Sequence, residues 1–220
     1  GMLIKTHLSR LMRAFSAAFS LFDPLPRIYR DALRRVYSAH GWTPTIDRGD
    51  SSRTYPIMSE FYDVIDTITN ELRYGREVQD NVRQASVIRI GDLLENAGHA
   101  VNVRRSMPFE QIMQRPTIIE VGRVGSPMDT ALLMGFLLLR LTAEIERRPR
   151  AERQKYLMVV EEAHRLMSDS PTSSTTDSRS ANPQAAAGED FSNMLAEIRG
   201  FDVGVIIAEQ MPSLLVRGAI

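Results

Sequence analysis

A chain of 220 residues can bury a sizeable core, and its hydrophobic (43%) and charged (25%) fractions exclude a disordered or membrane-embedded class. Its 27 basic and 27 acidic side chains balance, so no bulk charge marks it for nucleic acid or membrane surfaces, although a local patch is compatible with that balance. The absence of cysteine excludes disulfides and thiolate metal sites and fits a cytoplasmic location.

The first half reads as helical. Leu8, Leu11, Met12, Phe15, Ala18 and Phe19 recur at helical spacing. Pro24 and Pro26 interrupt that pattern, and a second helix with Ile28, Leu33, Val36 and Tyr37 on its apolar face runs to about His40, with Gly41 as its C′ residue. A loop with Trp42, Pro44 and Gly49 follows, then helices from about Pro56 to Leu72 and from about Glu77 to Asn96, the latter closed by Gly98. Residues 1–115 are thus expected to form a helical connector or insertion. Arg27, Arg30, Arg34 and Arg35 read as a solvated face, and His7, His40 and His99 as isolated surface or capping residues.

From Pro116 the pattern alternates between strand and helix. Thr117–Val121 is β-branched and predicts a first strand. Ser126-Pro127-Met128-Asp129 is a helix-start signal, and the helix it opens, to about Arg147, is apolar enough on all sides to predict burial. Its longest apolar run, Ala131–Leu139, is far below the ~20 residues of a membrane span. Tyr156–Val160 and Val203–Ala208 predict two further strands, with a helix over Phe191–Gly200 between them. This order implies parallel strands with right-handed crossovers, so residues 116–220 are expected to be an α/β unit. The stretch from about 168 to 188, rich in Ser, Thr, Asn and Ala, predicts a disordered loop.

All three predicted strands end in polar groups: Glu120, then Glu161 and Glu162, then Glu209 and Gln210. In a parallel sheet these tips share the edge where α/β folds bind ligands. Glu161, the first acid after its strand, suits Mg²⁺, directly or through water. Glu162 suits a general base for an attacking water, and Gln210 a sensor of that water or of a γ-phosphate. Arg199, ending the preceding helix, suits an arginine finger into a neighbouring subunit, or merely complements the helix dipole. Glu161-x-x-His164 has the spacing of a di-iron half-site, but the required second copy is missing. Missing too is a phosphate cradle: the only lysines, Lys5 and Lys155, lie outside any GxxxxGK[ST] context.

LMVVEEAHRLM, followed by FSNMLAEIRGFDVGVIIAEQMPSLL, resembles the second half of HerA-like P-loop ATPases, relatives of FtsK and of conjugation-type DNA and protein pumps. TIIEVG with its apolar helix, and FSLFDPLPRIYRDALRRVYSAHGW, are similar to the stretch between Walker A and Walker B in that family. The resemblance implies an incomplete RecA-like parallel sheet flanked by helices, with ATP and Mg²⁺ as cofactors of the parent protein. It further implies a ring, often hexameric, that moves DNA or a secreted protein. Carried over residue by residue, Glu161 would be the Mg²⁺-side acid of Walker B, Glu162 the catalytic acid, Gln210 the sensor and Arg199 the finger; Glu120 joins the cofactor site by its place at the first predicted strand tip. Glu161 stands where Asp is commoner, and Glu209 where Thr or Asp is commoner. Without a P-loop the chain alone is expected to be inactive, its partner being the remainder of the ATPase. Gly1 ahead of Met2 reads as a tag-cleavage remnant. A catalytically dead assembly or regulatory partner, and an unrelated α/β ligand-binding domain, are the alternatives.

Overall fold

The computed structural model describes residues 2–19, 21–147, 156–161, 163, 192–193, 195–201 and 203–210. The elements are α1 (Ile4–Phe19), α2 (Leu25–Ala39), α3 (Met58–Glu71), α4 (Arg76–Val101), α5 (Phe109–Ile112), α6 (Pro127–Arg147), β1 (Tyr156–Glu161) and β2 (Val203–Ala208). Residues 195–199 add a helical turn. The fold is mixed α/β.

Local chemistry explains most boundaries. At the end of α2 the Gly41 N–H donates to Ser38 O at 2.9 Å and the Trp42 N–H to Tyr37 O at 3.0 Å, the paired bonds of a Schellman turn. Gly41 supplies the positive φ, 77°, that this turn demands. At the start of α6 the Ser126 N–H donates to Asp129 Oδ2 (2.9 Å) and the Asp129 N–H to Ser126 Oγ (3.2 Å), a closed capping box. Two predicted boundaries differ. Gly98 does not close α4, which continues to Val101; a single helical glycine costs only ~1 kcal/mol, and buried Leu93 and Ala97 hold that end of the helix. The predicted strand Thr117–Val121 is absent: residues 116–121 carry no regular structure, and Ile118 is 89% exposed. β-propensity measures fit to a neighbouring pleated surface, and this segment has no ladder partner among the described residues.

The helices pack around aromatic rings. Phe15 of α1 stacks on Phe61 of α3 (centroids 5.2 Å) and meets Tyr29 of α2 and Phe136 of α6 edge-on, each at 5.6 Å. Tyr29 is fully buried and its hydroxyl donates to Ser86 O of α4 at 2.9 Å, so its polar end is satisfied inside the core. The hydrophobic core runs on without a break from Ile4 through α6 to Val160, Ile198 and Val203. α6 is buried or half-buried along nearly its whole length, as its sequence predicts.

β1 and β2 pair in parallel, in register from Tyr156↔Val203 to Glu161↔Ala208. Val160 and Val203 face the core, whereas Leu157 (66% exposed), Val159 (54%) and Ile206 (47%) lie on an open face. A continuous apolar strand encodes burial on both sides, and among the described residues β1 is covered on one face only.

Candidate functional site

The register of β1 and β2 builds the sheet edge. Glu161 closes β1 opposite Ala208, and Glu209 and Gln210 follow directly in the chain. Three of the predicted polar groups therefore leave the same end of a parallel pair. Val160, 6% exposed, anchors the end of β1, and Glu161 beyond it is exposed, as is Gln210; Glu209 is half-buried. Alternation places Glu161 on the open face with Leu157 and Val159.

Glu162 lies outside the described residues, as do His164 and the predicted 168–188 loop. Ala163, which follows Glu162, is fully buried. Arg199 ends the helical turn 195–199 and is exposed, while Leu195 and Ile198 of the same turn face the core. Glu120 is exposed in the 116–121 segment. Since no strand forms there, the shared-edge argument does not extend to Glu120, and the expectation of three aligned tips is corrected to two.

A carboxylate at the carboxyl end of a parallel strand, open to solvent, fits a Mg²⁺ site of the kind that takes one or two protein carboxylates and fills its remaining positions with water and phosphate oxygens. Glu161 meets that description. Among the described residues no three His, Asp or Glu side chains converge as an all-protein metal cage. Nor is any helix among them long and apolar enough to cross a membrane.

Two features escape the sequence reading. Arg10 is buried and holds the edge unit to α1 and α6: its Nη1 and Nη2 donate to Glu146 at 2.8 and 2.7 Å, and Nη2 also reaches Glu197 at 2.8 Å. Those carboxylates, Glu146 foremost, hold its pKa above the usual guanidinium range against the opposing effect of burial. A helical-face Arg in an apolar stretch was the only available signal. His7 and His40 are not isolated either. His7 Nε2 is 2.8 Å from the Tyr37 hydroxyl, and His40 bridges Thr54 and Glu60, each at 3.0 Å. Tertiary proximity between distant segments created both contacts. His99 is exposed, and so are Arg27, Arg30, Arg34 and Arg35, as predicted.

No protein-family model matches the chain, and no curated protein does. Among solved structures, the fold is similar to that of VirB4 of Thermoanaerobacter pseudethanolicus, with a TM-score of 0.57 and 20% sequence identity over 97% of this chain and 68% of that one. Likeness at that identity speaks for the fold.

Proposed function

We propose that this chain is a portion of a P-loop ATPase of the broad class that includes VirB4, and that the edge formed by β1 and β2 is one wall of its nucleotide site. The observation that carries the reading is the in-register parallel pair with Glu161 ending one strand and Glu209-Gln210 leaving the other, set in a fold shared with VirB4. On this reading the parent is a cytoplasmic, ring-forming ATPase with a RecA-like core of the HerA/FtsK kind, coupling ATP hydrolysis to movement of DNA or a secreted protein.

Each residue then has a task set by its chemistry. Glu161 holds Mg²⁺ through its carboxylate or an intervening water; when bound, the metal neutralises phosphate charge. Glu162 accepts the proton of the attacking water and keeps that water aligned. Gln210 orients the same water with an amide that can both donate and accept. Arg199 sits exposed on a turn whose other side is buried, so its backbone is held while its guanidinium is available to a neighbouring subunit's phosphates. Glu120 belongs at the rim of this site only if a further strand recruits the 116–121 segment.

The phosphates need the backbone amides and lysine of a P-loop, a motif that these 220 residues do not contain. The chain alone should therefore show no ATP turnover, whereas the same residues joined to a GxxxxGK[ST]-containing partner segment should turn over ATP and lose it on Glu162→Gln. Measuring phosphate release from both preparations decides the matter. Robust turnover by the isolated chain, or a joined protein indifferent to Glu162→Gln, would overturn the proposal.

A further inference from the structure

Two cavities meet inside the helical region. One, of about 260 Å³, has largely apolar walls, among them Leu11, Phe15, Phe136 and Leu137. The other, of about 600 Å³, opens between the α1 start, the 47–49 loop and the end of α6, and its lining includes Tyr55 and the acids Asp47, Glu144 and Glu146, whereas no acid lines the smaller one. Arg48 and Arg140 line both, so the two guanidiniums stand where the cavities join.

Their surroundings set them apart from the other buried arginine. Arg10, which also lines the larger cavity, has its charge matched by Glu146 and Glu197. Neither Arg48 nor Arg140 makes an ion pair among the described residues. Both have a buried Nε without a hydrogen-bond partner, as Arg10 does, so the missing ion pair is what distinguishes them. Arg48 lies over the Tyr55 ring at 6.0 Å and also engages the Tyr55 hydroxyl, and Arg140 lies over the Phe109 ring at 5.7 Å; neither ring contact satisfies the buried Nε. Glu144, one turn from Arg140, is engaged by Arg147 at 2.8 Å. Two half-buried like charges close enough to repel, with orphaned donors, are costly unless an anion completes them. Arg140 bears that cost in a pKa below the ordinary arginine value, through burial first and the charge of Arg48 next, which the opposing pull of Glu144 does not cancel.

We propose that Arg48 and Arg140 form the anion-binding end of a small-molecule site, taking a ligand with a phosphate or carboxylate head between the two guanidiniums and an apolar body in the adjoining cavity. The head offers acceptors to the guanidinium forks, whose buried Nε atoms have no partner, and the body displaces water from apolar walls. The site stands apart from the β1–β2 edge and does not depend on the ATPase reading.

Trp42, the only tryptophan, stacks on Tyr55 at 5.0 Å and reports on the larger cavity through its fluorescence. The experiment titrates the full chain with hexyl phosphate, hexanoate, inorganic phosphate and hexanol, followed by Trp42 emission and by calorimetry. Saturable binding of hexyl phosphate or hexanoate is expected, tighter than inorganic phosphate or hexanol, and the tighter of the two names the head group. Arg48→Gln and Arg140→Gln should each weaken it by roughly tenfold or more. Arg48 is on a loop, so its variant leaves the helical core intact and keeps the test valid should Arg140→Gln disturb packing on Phe109. Binding no tighter than hexanol, or affinity unchanged in Arg48→Gln, would overturn the proposal.

Discussion

Replacing Arg10 by Met tests how the helical region holds the sheet-edge unit. Arg10 is 6% exposed and bonds Glu146 twice and Glu197 once. Because the carboxylates raise its pKa, it remains charged across the accessible pH range, and its removal strands Glu146 while Glu197 keeps Arg13 at 3.7 Å. Removing one partner of a buried ion pair costs about 3–5 kcal/mol. The side chains left behind are 22% exposed for Glu146 and 38% for Glu197, so Glu197 regains water and its share falls below about 1 kcal/mol. Arg10 Nε, already buried without a partner, is removed as well, which returns part of the loss. The expected cost of Arg10→Met is therefore about 3 kcal/mol, at the low end of the range. Glu197→Gln should cost less than about 1 kcal/mol. Urea unfolding at neutral pH measures both as shifts of midpoint at constant slope. In a double-mutant cycle, Glu146→Leu should recover stability in the Arg10→Met background, since it removes the stranded charge. A cost for Arg10→Met below about 1 kcal/mol, or equal costs for Glu146→Gln and Glu197→Gln, would refute the clamp.

Two further perturbations address the same scaffold. Burial first, then Arg48, Arg140 and Arg10, push the His7 pKa from 6.5 down to about 3, so the folded state holds it neutral while the unfolded chain takes up a proton near 6.5. The unfolded state thus binds more protons below 6.5, and stability should fall as pH drops from 6.5 towards 3, by at most ~1.4 kcal/mol per pH unit. Urea midpoints at pH 7 and pH 5 check this, with His7→Gln as the control that should flatten the difference; an equal slope in that variant would remove His7 as its source. Gly41→Ala introduces a Cβ at φ 77° and only 2.6 Å from Arg53 Nη1, and should cost about 1–2 kcal/mol by thermal melting. A variant as stable as the parent would mean that the turn after α2 relaxes without strain.

How much of the fold is legible in the sequence depends on the range of the interactions involved. α2, α3, α6 and both strands lie where periodicity, caps and turn glycines place them, because those signals act within a few residues. The parallel pairing of β1 with β2 follows from the helix between them, and with it the shared edge of Glu161, Glu209 and Gln210. Thr117–Val121 misleads because its β-branched composition speaks of a partner strand, and composition cannot supply one. Glu120 loses its place at the edge for the same reason.

The sequence by itself determined the long helices and the two strands that form, Thr117–Val121 being the exception, and that acids and an amide end those strands, since both follow from local pattern. Only the tertiary structure decided that Arg10 spans from α1 to Glu146 and Glu197, that His7 meets Tyr37, and that Arg48 and Arg140 line the same two cavities, each with an unpartnered buried Nε. Those contacts join side chains far apart in the chain. Their energies come from burial and charge, which exist only after the helices have packed.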